Sequence, residues 1–316
     1  MVWMETHRTF CIGRFTLALP ASMQSRREKY TYNGDELVTS PGTSLARFNV
    51  VVDQRESELL KNKRNDNSGA TLKRTDIPWL EKAFRPQPDA RLFALRGSNS
   101  EGFRLGYDTE GYVWNDGTMF LLKSNASETG VDAVFADDAD KMQRIKARDN
   151  GVVPTEAGYC FDGGLITGGT KFYELASAYF ERPATPGSAI FGIEMRPNLP
   201  SDNKLLDRVP RLMQMMGNLV SNTRTLRQGD RPLAGLNGQE MLTKISADGV
   251  TAYYFVWEAK GEPKSVTHPN THIELRLGGE LNTKTEQRVS SALSEEEALG
   301  LWDDILNSFH LRPGAV

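Results

Sequence analysis

The sequence predicts an α+β protein of two similar domains, each a mainly antiparallel sheet with helices packed on one face. Three observations lead to this prediction. Many short segments alternate apolar and polar residues and are separated by turn signals such as Asp248-Gly249, the pattern of antiparallel strands. Other segments carry apolar residues at helical spacing. The order strands, helix, strands, helix recurs in both halves of the 316-residue chain, whose length suits about two domains.

In the first half, a strand over 9–20 is predicted because Phe15, Leu17 and Leu19 alternate with smaller or polar residues. The elements expected after it are a strand near 28–32, an apolar strand over 47–52, a helix over about 53–63, strands over 91–95, 102–107 and 119–123 with turns at 108–111 and 115–117, and a helix over about 130–147.

The second half repeats this plan after an opening segment at 158–166. The elements expected next are a strand near 172–180, an apolar strand over 189–195, a helix over about 205–216, and strands over 240–245, 250–257 and 272–277. The closing helix has the clearest local signal. Ser294 and Glu297 form a capping box, and Ala298, Trp302 and Ile305 follow on one helical face. A short, turn-rich link at 148–154 separates an N-terminal domain, 1–150, from a C-terminal domain, 151–316, and we expect a cleft between them.

The net charge and the hydropathy of the chain exclude some classes of binding partner. A net charge of −3 argues against nucleic acid, and no segment approaches the ~20 apolar residues that span a bilayer, so no stable membrane insertion is expected. The N-terminus shows no charged-then-apolar export signal. Taken literally, this indicates the cytoplasm; alternatively, the chain is a mature form from which the signal has been removed.

The two cysteines allow two interpretations. Cys11 and Cys160 either form one disulfide in an oxidising compartment or are both buried thiols. Cys160 beside Asp162 has the form of a nucleophile with a neighbouring acid. However, a reactive thiolate needs an electropositive or histidine-paired setting, and no histidine is near it in sequence, which favours a structural role.

Other catalytic and metal motifs are weak or missing. His268 and His272 have an HxxxH spacing, but Pro269 prevents the helix that would bring them together. There is no Gly-X-Ser-X-Gly and no P-loop. We therefore predict no catalytic residue, no metal and no cofactor. The alternatives are a hydrolase that uses Cys160 or the His268/His272 pair, and a lipid or glycan binder that uses the aromatic strand at 253–257.

Several motifs resemble one known family, the immunity proteins of type VI secretion lipase effectors. Cys11-Ile12-Gly13-Arg14-Phe15 and Tyr159-Cys160-Phe161-Asp162-Gly163-Gly164 are similar to the openings of that family's two domains. More specific similarity to its C-terminal domain lies in Leu233-Ala234-Gly235-Leu236-Asn237-Gly238-Gln239-Glu240, Tyr254-Phe255-Val256-Trp257-Glu258-Ala259-Lys260-Gly261, and the segments 273–279 and 301–313. The resemblance covers nearly the whole chain.

The resemblance implies a periplasmic protein that protects a bacterium from a phospholipase toxin. It implies a one-to-one complex in which a two-domain clamp blocks substrate access or holds the lid shut. The interface residues are our own prediction, from a run dense in aromatic and acidic side chains that we place on loop tips; ordinary solvated hairpins are the alternative. These candidate partner-binding residues are Tyr107, Asp108, Tyr112, Trp114 and Asp116.

Overall fold

The computed structural model describes residues 6–68, 71–96, 106–171, 173–182, 189–197, 203–208, 222–282 and 286–316. The chain forms two compact units. Unit 1 comprises 1–33, 150–160 and 169–316, and unit 2 comprises 34–149 and 161–168. The predicted α+β class is confirmed, because the described elements are mainly antiparallel strands with a few helices. The predicted domain boundary at residues 150 and 151 stays a prediction.

The elements follow one another in chain order as a series of short strands interrupted by helices. They are β1 (His7–Ile12), β2 (Phe15–Pro20), β3 (Gln24–Tyr32), β4 (Asp35–Pro41), α1 (Leu45–Lys61), β5 (Lys63–Ser68), β6 (Thr71–Pro78), β7 (Leu80–Phe84), β8 (Ala90–Leu95), β9 (Tyr107–Asn115), β10 (Thr118–Ala126), α2 (Val131–Arg144), β11 (Ile145–Ala147), β12 (Gly158–Phe161), β13 (Gly164–Thr167), β14 (Glu174–Glu181), β15 (Ala189–Arg196), β16 (Thr223–Leu233), β17 (Leu236–Ala247), β18 (Val250–Ala259), β19 (Asn270–Leu277), β20 (Leu281–Asn282), β21 (Gln287–Arg288), α3 (Glu295–Ser308) and β22 (His310–Leu311). Among the described residues, no helix is long and apolar enough to cross a bilayer.

Unit 1 is built on one antiparallel sheet with the strand order β16-β17-β18-β19-β15-β14-β3. Helix α3 covers part of one face, where Phe255 packs edge-on against Trp302 at 5.9 Å between ring centroids. The β1–β2 hairpin adds to the same face, since Phe10 contacts Phe180 at 4.7 Å. Alternate residues of β18 and β19 point to the other face, which carries the polar residues described below.

Helix α3 confirms the capping prediction. The Glu297 amide donates to the Ser294 hydroxyl at 3.3 Å, and the Ser294 amide donates to the Glu297 carboxylate at 2.8 Å. Ala298, Trp302 and Ile305 are buried on its inner face. Two backbone amides at the start of the helix, which have no partner within the helix, are thus hydrogen-bonded by nearby side chains. Because both side chains are close in sequence, the sequence alone located this helix.

The N-terminal strand differs from its prediction. Residues 9–20 form not one strand but a hairpin, because Gly13 adopts φ +59° and turns the chain between β1 and β2. Beside this turn, Cys11 and Cys160 form a disulfide with a Cα–Cα distance of 5.8 Å. Gly13 and Cys160 also exchange two backbone hydrogen bonds of 2.9 and 2.7 Å. The interpretation of two buried thiols is therefore wrong.

Two buried arginines fix the segments around this disulfide in unit 1. Arg14 forms a bidentate pair with Glu174 and donates to the carbonyl of Ala315. Arg312 donates to the carbonyls of Pro154, Glu156 and Gly158, of which the Gly158 carbonyl is a buried acceptor that needs a partner. Parts of unit 1 that are far apart in sequence thus meet at one place.

Unit 2 has the strand order β4-β10-β9-β8-β7. Strand β8 is buried on both faces: Phe93 lies in a core with Phe48 of α1, and Leu92 lies in a core with Phe135 of α2. Because neighbouring residues of a strand point to opposite faces, α1 and α2 cover opposite faces of this sheet. The prediction of helices on one face is wrong for unit 2.

Helix α1 also corrects a strand prediction. Residues 47–52, predicted as an apolar strand, lie inside the helix. The Ser44 hydroxyl accepts a hydrogen bond from the Arg47 amide at 3.2 Å and caps the helix. Phe48, Val52 and Leu59 then face the core at helical spacing. The run of valines has strand propensity, but the cap and this spacing determine the structure.

The remaining expectations have mixed outcomes. The turns at 115–117 and at Asp248-Gly249 and most predicted strands are present. The turn at 108–111 is wrong, since these residues continue β9. The strand at 102–107 lies largely outside the described residues, as does the helix at 205–216 beyond its helical start at 205–208. Strands β4 to β7, β9, β11, β16 and β20 to β22 were not predicted.

Candidate functional site

The five predicted partner-binding residues lie on β9 or on the turn that follows it. Tyr112 is buried in the core beside α1, and its hydroxyl donates to Glu110 at 2.8 Å. Trp114 is half-buried at the edge of the same core, and its indole NH donates to the carbonyl of Thr43 at 2.6 Å. Both side chains therefore have structural partners on the α1 face.

The other three residues lie at the start of β9 and in the turn that follows it. Tyr107 packs beside α2, under the guanidinium of Arg96 at 4.7 Å. Asp108 is half-buried opposite Leu95 of β8. Asp116 is exposed at the hairpin tip with φ +43°. The structure thus distributes the five over two faces and one tip, and their role in binding stays a proposal, with Asp116 the most accessible.

A second polar group lies on unit 1, on the face of the β18–β19 pair opposite to α3. The His272 ring contacts Glu258 through Nδ1 at 2.9 Å and approaches Glu274 through Nε2 at 3.7 Å. Glu274 also accepts hydrogen bonds from Arg276 at 2.9 Å and from the Tyr254 hydroxyl at 3.1 Å. Strand register produces this row, because β18 and β19 place Glu258 opposite His272 and Tyr254 opposite Arg276.

The protonation states in this row follow from its partners. Burial alone would lower the pKa of His272, but the hydrogen bonds to Glu258 and Glu274 outweigh it and raise the pKa to about 9. Burial would raise the pKa of Glu274, yet His272 and Arg276 lower it to about 2. At neutral pH the row therefore holds an imidazolium between two carboxylates, with Arg208 also paired to Glu258.

The sequence alone predicted only part of this row of polar side chains. Alternation in β19 predicted one wet face that includes Glu274 and Arg276. It did not show that Tyr254 and Glu258 of β18 lie opposite them, because the pairing joins separate strands. Of the aromatic run in β18, Tyr253, Phe255 and Trp257 are buried and Tyr254 is exposed.

The catalytic alternatives do not fit this geometry. Cys160 is bonded to Cys11, so it carries no thiol that could act as a nucleophile. His268 contacts Ser265 and Thr267, whereas His272 contacts two glutamates. In the part of the chain that the structure describes, no three His, Cys, Asp or Glu side chains are placed to hold a metal.

Family models match the two halves of the chain. The model of the Tle cognate immunity protein 4 N-terminal domain matches residues 8–150, and that of its C-terminal domain matches residues 152–314. The chain belongs to the Tle cognate immunity protein 4 family. This confirms the prediction of an immunity protein of a type VI secretion lipase effector, made from the motifs around Cys11, Cys160 and the C-terminal strands.

Solved structures of immunity proteins are similar to this chain, in agreement with its family. The crystal structure of the Tle4–Tli4 complex is similar with a TM-score of 0.83 and 25% identity, over 97% of this chain and 98% of that one. The immunity protein TplEi of Pseudomonas aeruginosa is similar in its complex with "L" peptide, with a TM-score of 0.77, 25% identity and coverage of 97% and 98%. Its apo structure has the same fold, with a TM-score of 0.82, 24% identity and coverage of 97% of both chains. No curated protein sequence matches the chain.

Proposed function

We propose that this family member neutralises its type VI secretion lipase effector by forming a one-to-one complex, without catalysis of its own. The observation that carries the proposal is the similarity, over nearly the whole of both chains, to the solved Tle4–Tli4 complex. An inhibitor that acts by occupying a protein surface needs area and shape, not a catalytic group.

The complex blocks either substrate access or lid opening, in a clamp to which both units contribute contacts. A second contact made by a linked unit forms at high effective concentration, so two modest interfaces together give tight binding. Tight neutralisation requires a buried area near the standard ~1,600 Å² or a few strong central contacts.

The site of action is the periplasm. The Cys11–Cys160 disulfide supports this compartment, because disulfides persist in oxidising environments and are rare in the cytosol.

The test uses the purified chain and the lipase encoded beside its gene. We expect a complex with the mass of one copy of each protein, and phospholipase turnover that falls to zero at one equivalent of this chain. The chain alone should release no fatty acid from the same substrate. If the two proteins do not associate, or if turnover is unchanged in the complex, the proposal is wrong.

The choice of substrate separates the two modes of inhibition. A monomeric short-chain ester reaches the active site without an interface, whereas micellar phospholipid requires the lid to open. If the complex inhibits hydrolysis of both substrates, the substrate entrance is covered. If hydrolysis of the monomeric ester persists, the complex prevents lid opening instead.

A further inference from the structure

The face of the unit 1 sheet opposite α3 carries aromatic and basic side chains from four of its strands. Strand register places Arg27 of β3 opposite Tyr179 of β14, and Tyr254 of β18 opposite Arg276 of β19. Glu274, next to Arg276 on this face, lies opposite Gly192 of β15, which pairs with Tyr179. These side chains are therefore neighbours on one surface. We call Arg27, Tyr179, Tyr254 and Arg276, with Glu274 beneath them, the Tyr254 patch.

The acidic and basic side chains of the Tyr254 patch differ in their exposure to solvent. The Glu274 side chain is only 5% exposed and is held by Arg276 and Tyr254, whereas the Arg276 side chain is 51% exposed. Arg27 and the neighbouring Lys29 are also exposed. The acid thus lies inside and is already paired, and the bases reach solvent. Two further carboxylates on this face are more exposed, but each lies beside an arginine: Glu194 is 3.7 Å from Arg196, and Glu181 is 3.3 Å from Arg26.

The aromatic side chains of the patch are held in place before any partner binds. The Tyr254 hydroxyl donates to Glu274, and the Arg276 guanidinium lies 5.3 Å from the centre of the Tyr254 ring. The Tyr179 ring lies over Gly192, where a Cβ atom would come within 2.6 Å of it. Binding to such a surface costs little side-chain entropy, and tyrosine and arginine are the residue types enriched at binding hot spots.

We infer that the Tyr254 patch is an effector-binding surface and that it receives an acidic segment of the effector. This inference rests on the proposed function. Exposed guanidinium groups bind carboxylates bidentately, and the fixed tyrosine rings provide apolar contact around them. A basic segment is disfavoured, because it would meet the exposed side chains of Arg27, Lys29 and Arg276. The carboxylates on this face, Glu181, Glu194 and Glu274, each already lie beside an arginine.

The test measures binding of the effector to the full chain carrying Arg276→Glu, Arg27→Glu or Tyr254→Ala. Each change should weaken affinity by roughly 10-fold or more, the size expected of an interface hot spot. The charge reversals should also reduce the salt dependence of association.

Arg8→Glu is the matched control. Arg8 also stacks on an aromatic ring, 4.4 Å from the centroid of Phe10, but the β1–β2 hairpin lies on the other face of the sheet. The same change of charge there should leave affinity within about 2-fold of wild type. Circular dichroism and the melting temperature establish that each variant is folded. If Arg276→Glu does not fold, Arg276→Gln, which removes the positive charge without reversing it, replaces it.

The outcomes separate this inference from the proposed function. A wild-type chain that does not bind the effector contradicts the proposed function itself. A wild-type chain that binds, with folded patch variants that bind equally well, contradicts only the patch. Affinity that falls in the patch variants and in Arg8→Glu alike indicates a general charge effect and also contradicts the patch.

Discussion

At the scale of single residues, buried charged side chains in unit 2 lie beside side chains of opposite charge. The Lys141 ammonium lies against Asp35 and Asp138 and is 3.0 Å from Asp137. Its side chain is only 1% exposed. Burial and the neighbouring Asp138 raise the pKa of Asp35 to about 7, although Lys141 opposes this shift. One lysine therefore compensates two buried carboxylates.

Replacing Lys141 should destabilise the protein strongly. In Lys141→Met, Asp35 and Asp138 stay buried without their cation, and we expect the free energy of unfolding to fall by about 3–5 kcal/mol. The loss should be larger at pH 8 than at pH 5, because at pH 8 the Asp35 carboxylate is paired with Lys141 in the wild type but has no cation in the variant, whereas at pH 5 Asp35 is protonated in both chains. Urea denaturation at the two pH values measures both effects.

Lys82→Met is the control for this change. Lys82 pairs with Asp132, whose side chain is 80% exposed, so its loss should cost at most about 1 kcal/mol. Equal stability of Lys141→Met and Lys82→Met would contradict the importance of the buried lysine.

The charged row at His272 should make stability depend on pH. The pKa of His272 is raised to about 9 in the folded chain, above the value of about 6.5 in an unfolded chain. The stabilisation is therefore complete below pH 6.5 and lost as the pH rises through 9. We expect a decrease of about 2 kcal/mol across this window, allowing for partial exposure of the ring. An NMR titration of the His272 ring checks the pKa, and a ring that titrates near 6.5 would contradict the proposed pairing.

At the scale of elements, local signals determine some helices and tertiary packing determines the others. The Ser294 and Glu297 capping box makes α3 visible in the sequence. Helix α1 carries a run of valines from Val50 to Val52 that favours a strand. Only its cap at Ser44 and its contacts with β8 show that it is helical.

Removal of the α3 cap should have a moderate cost. Ser294→Ala leaves the Glu297 amide without its acceptor, and we expect a loss of about 1 kcal/mol in the free energy of unfolding. Glu296→Gln, in the same exposed turn but outside the capping box, should change stability by less than about 0.5 kcal/mol. Thermal unfolding of both variants gives the comparison, and equal melting temperatures would show that the box is dispensable.

At the scale of the whole molecule, the disulfide joins residues that are 149 positions apart in sequence. Such a link restricts the unfolded chain strongly, and the double variant Cys11→Ser/Cys160→Ser should lose about 3–5 kcal/mol of stability. Urea denaturation with and without dithiothreitol tests this. Dithiothreitol should lower the free energy of unfolding of the wild type, because the disulfide becomes accessible to reduction when the chain unfolds. It should leave the free energy of unfolding of the double variant unchanged. An effect of reductant on both chains would show that it acts by another route.

The sequence by itself determined the family, the α+β class and many of the longer strands. Each of these rests on signals within one short segment, such as the motif around Cys160, the alternation of β19 or the Asp248-Gly249 turn. Local hydrogen bonds and side-chain periodicity are fixed by neighbours in the chain, so they can be recognised without the fold.

Only the tertiary structure decided which distant residues meet. It paired Cys11 with Cys160, placed α1 and α2 on opposite faces of one sheet, and buried Tyr112 among core residues. It also placed Tyr254 beside Arg276 and Glu274. These arrangements depend on strand register and packing between separate segments, and the identity of a residue does not reveal which distant partner will bury or pair it.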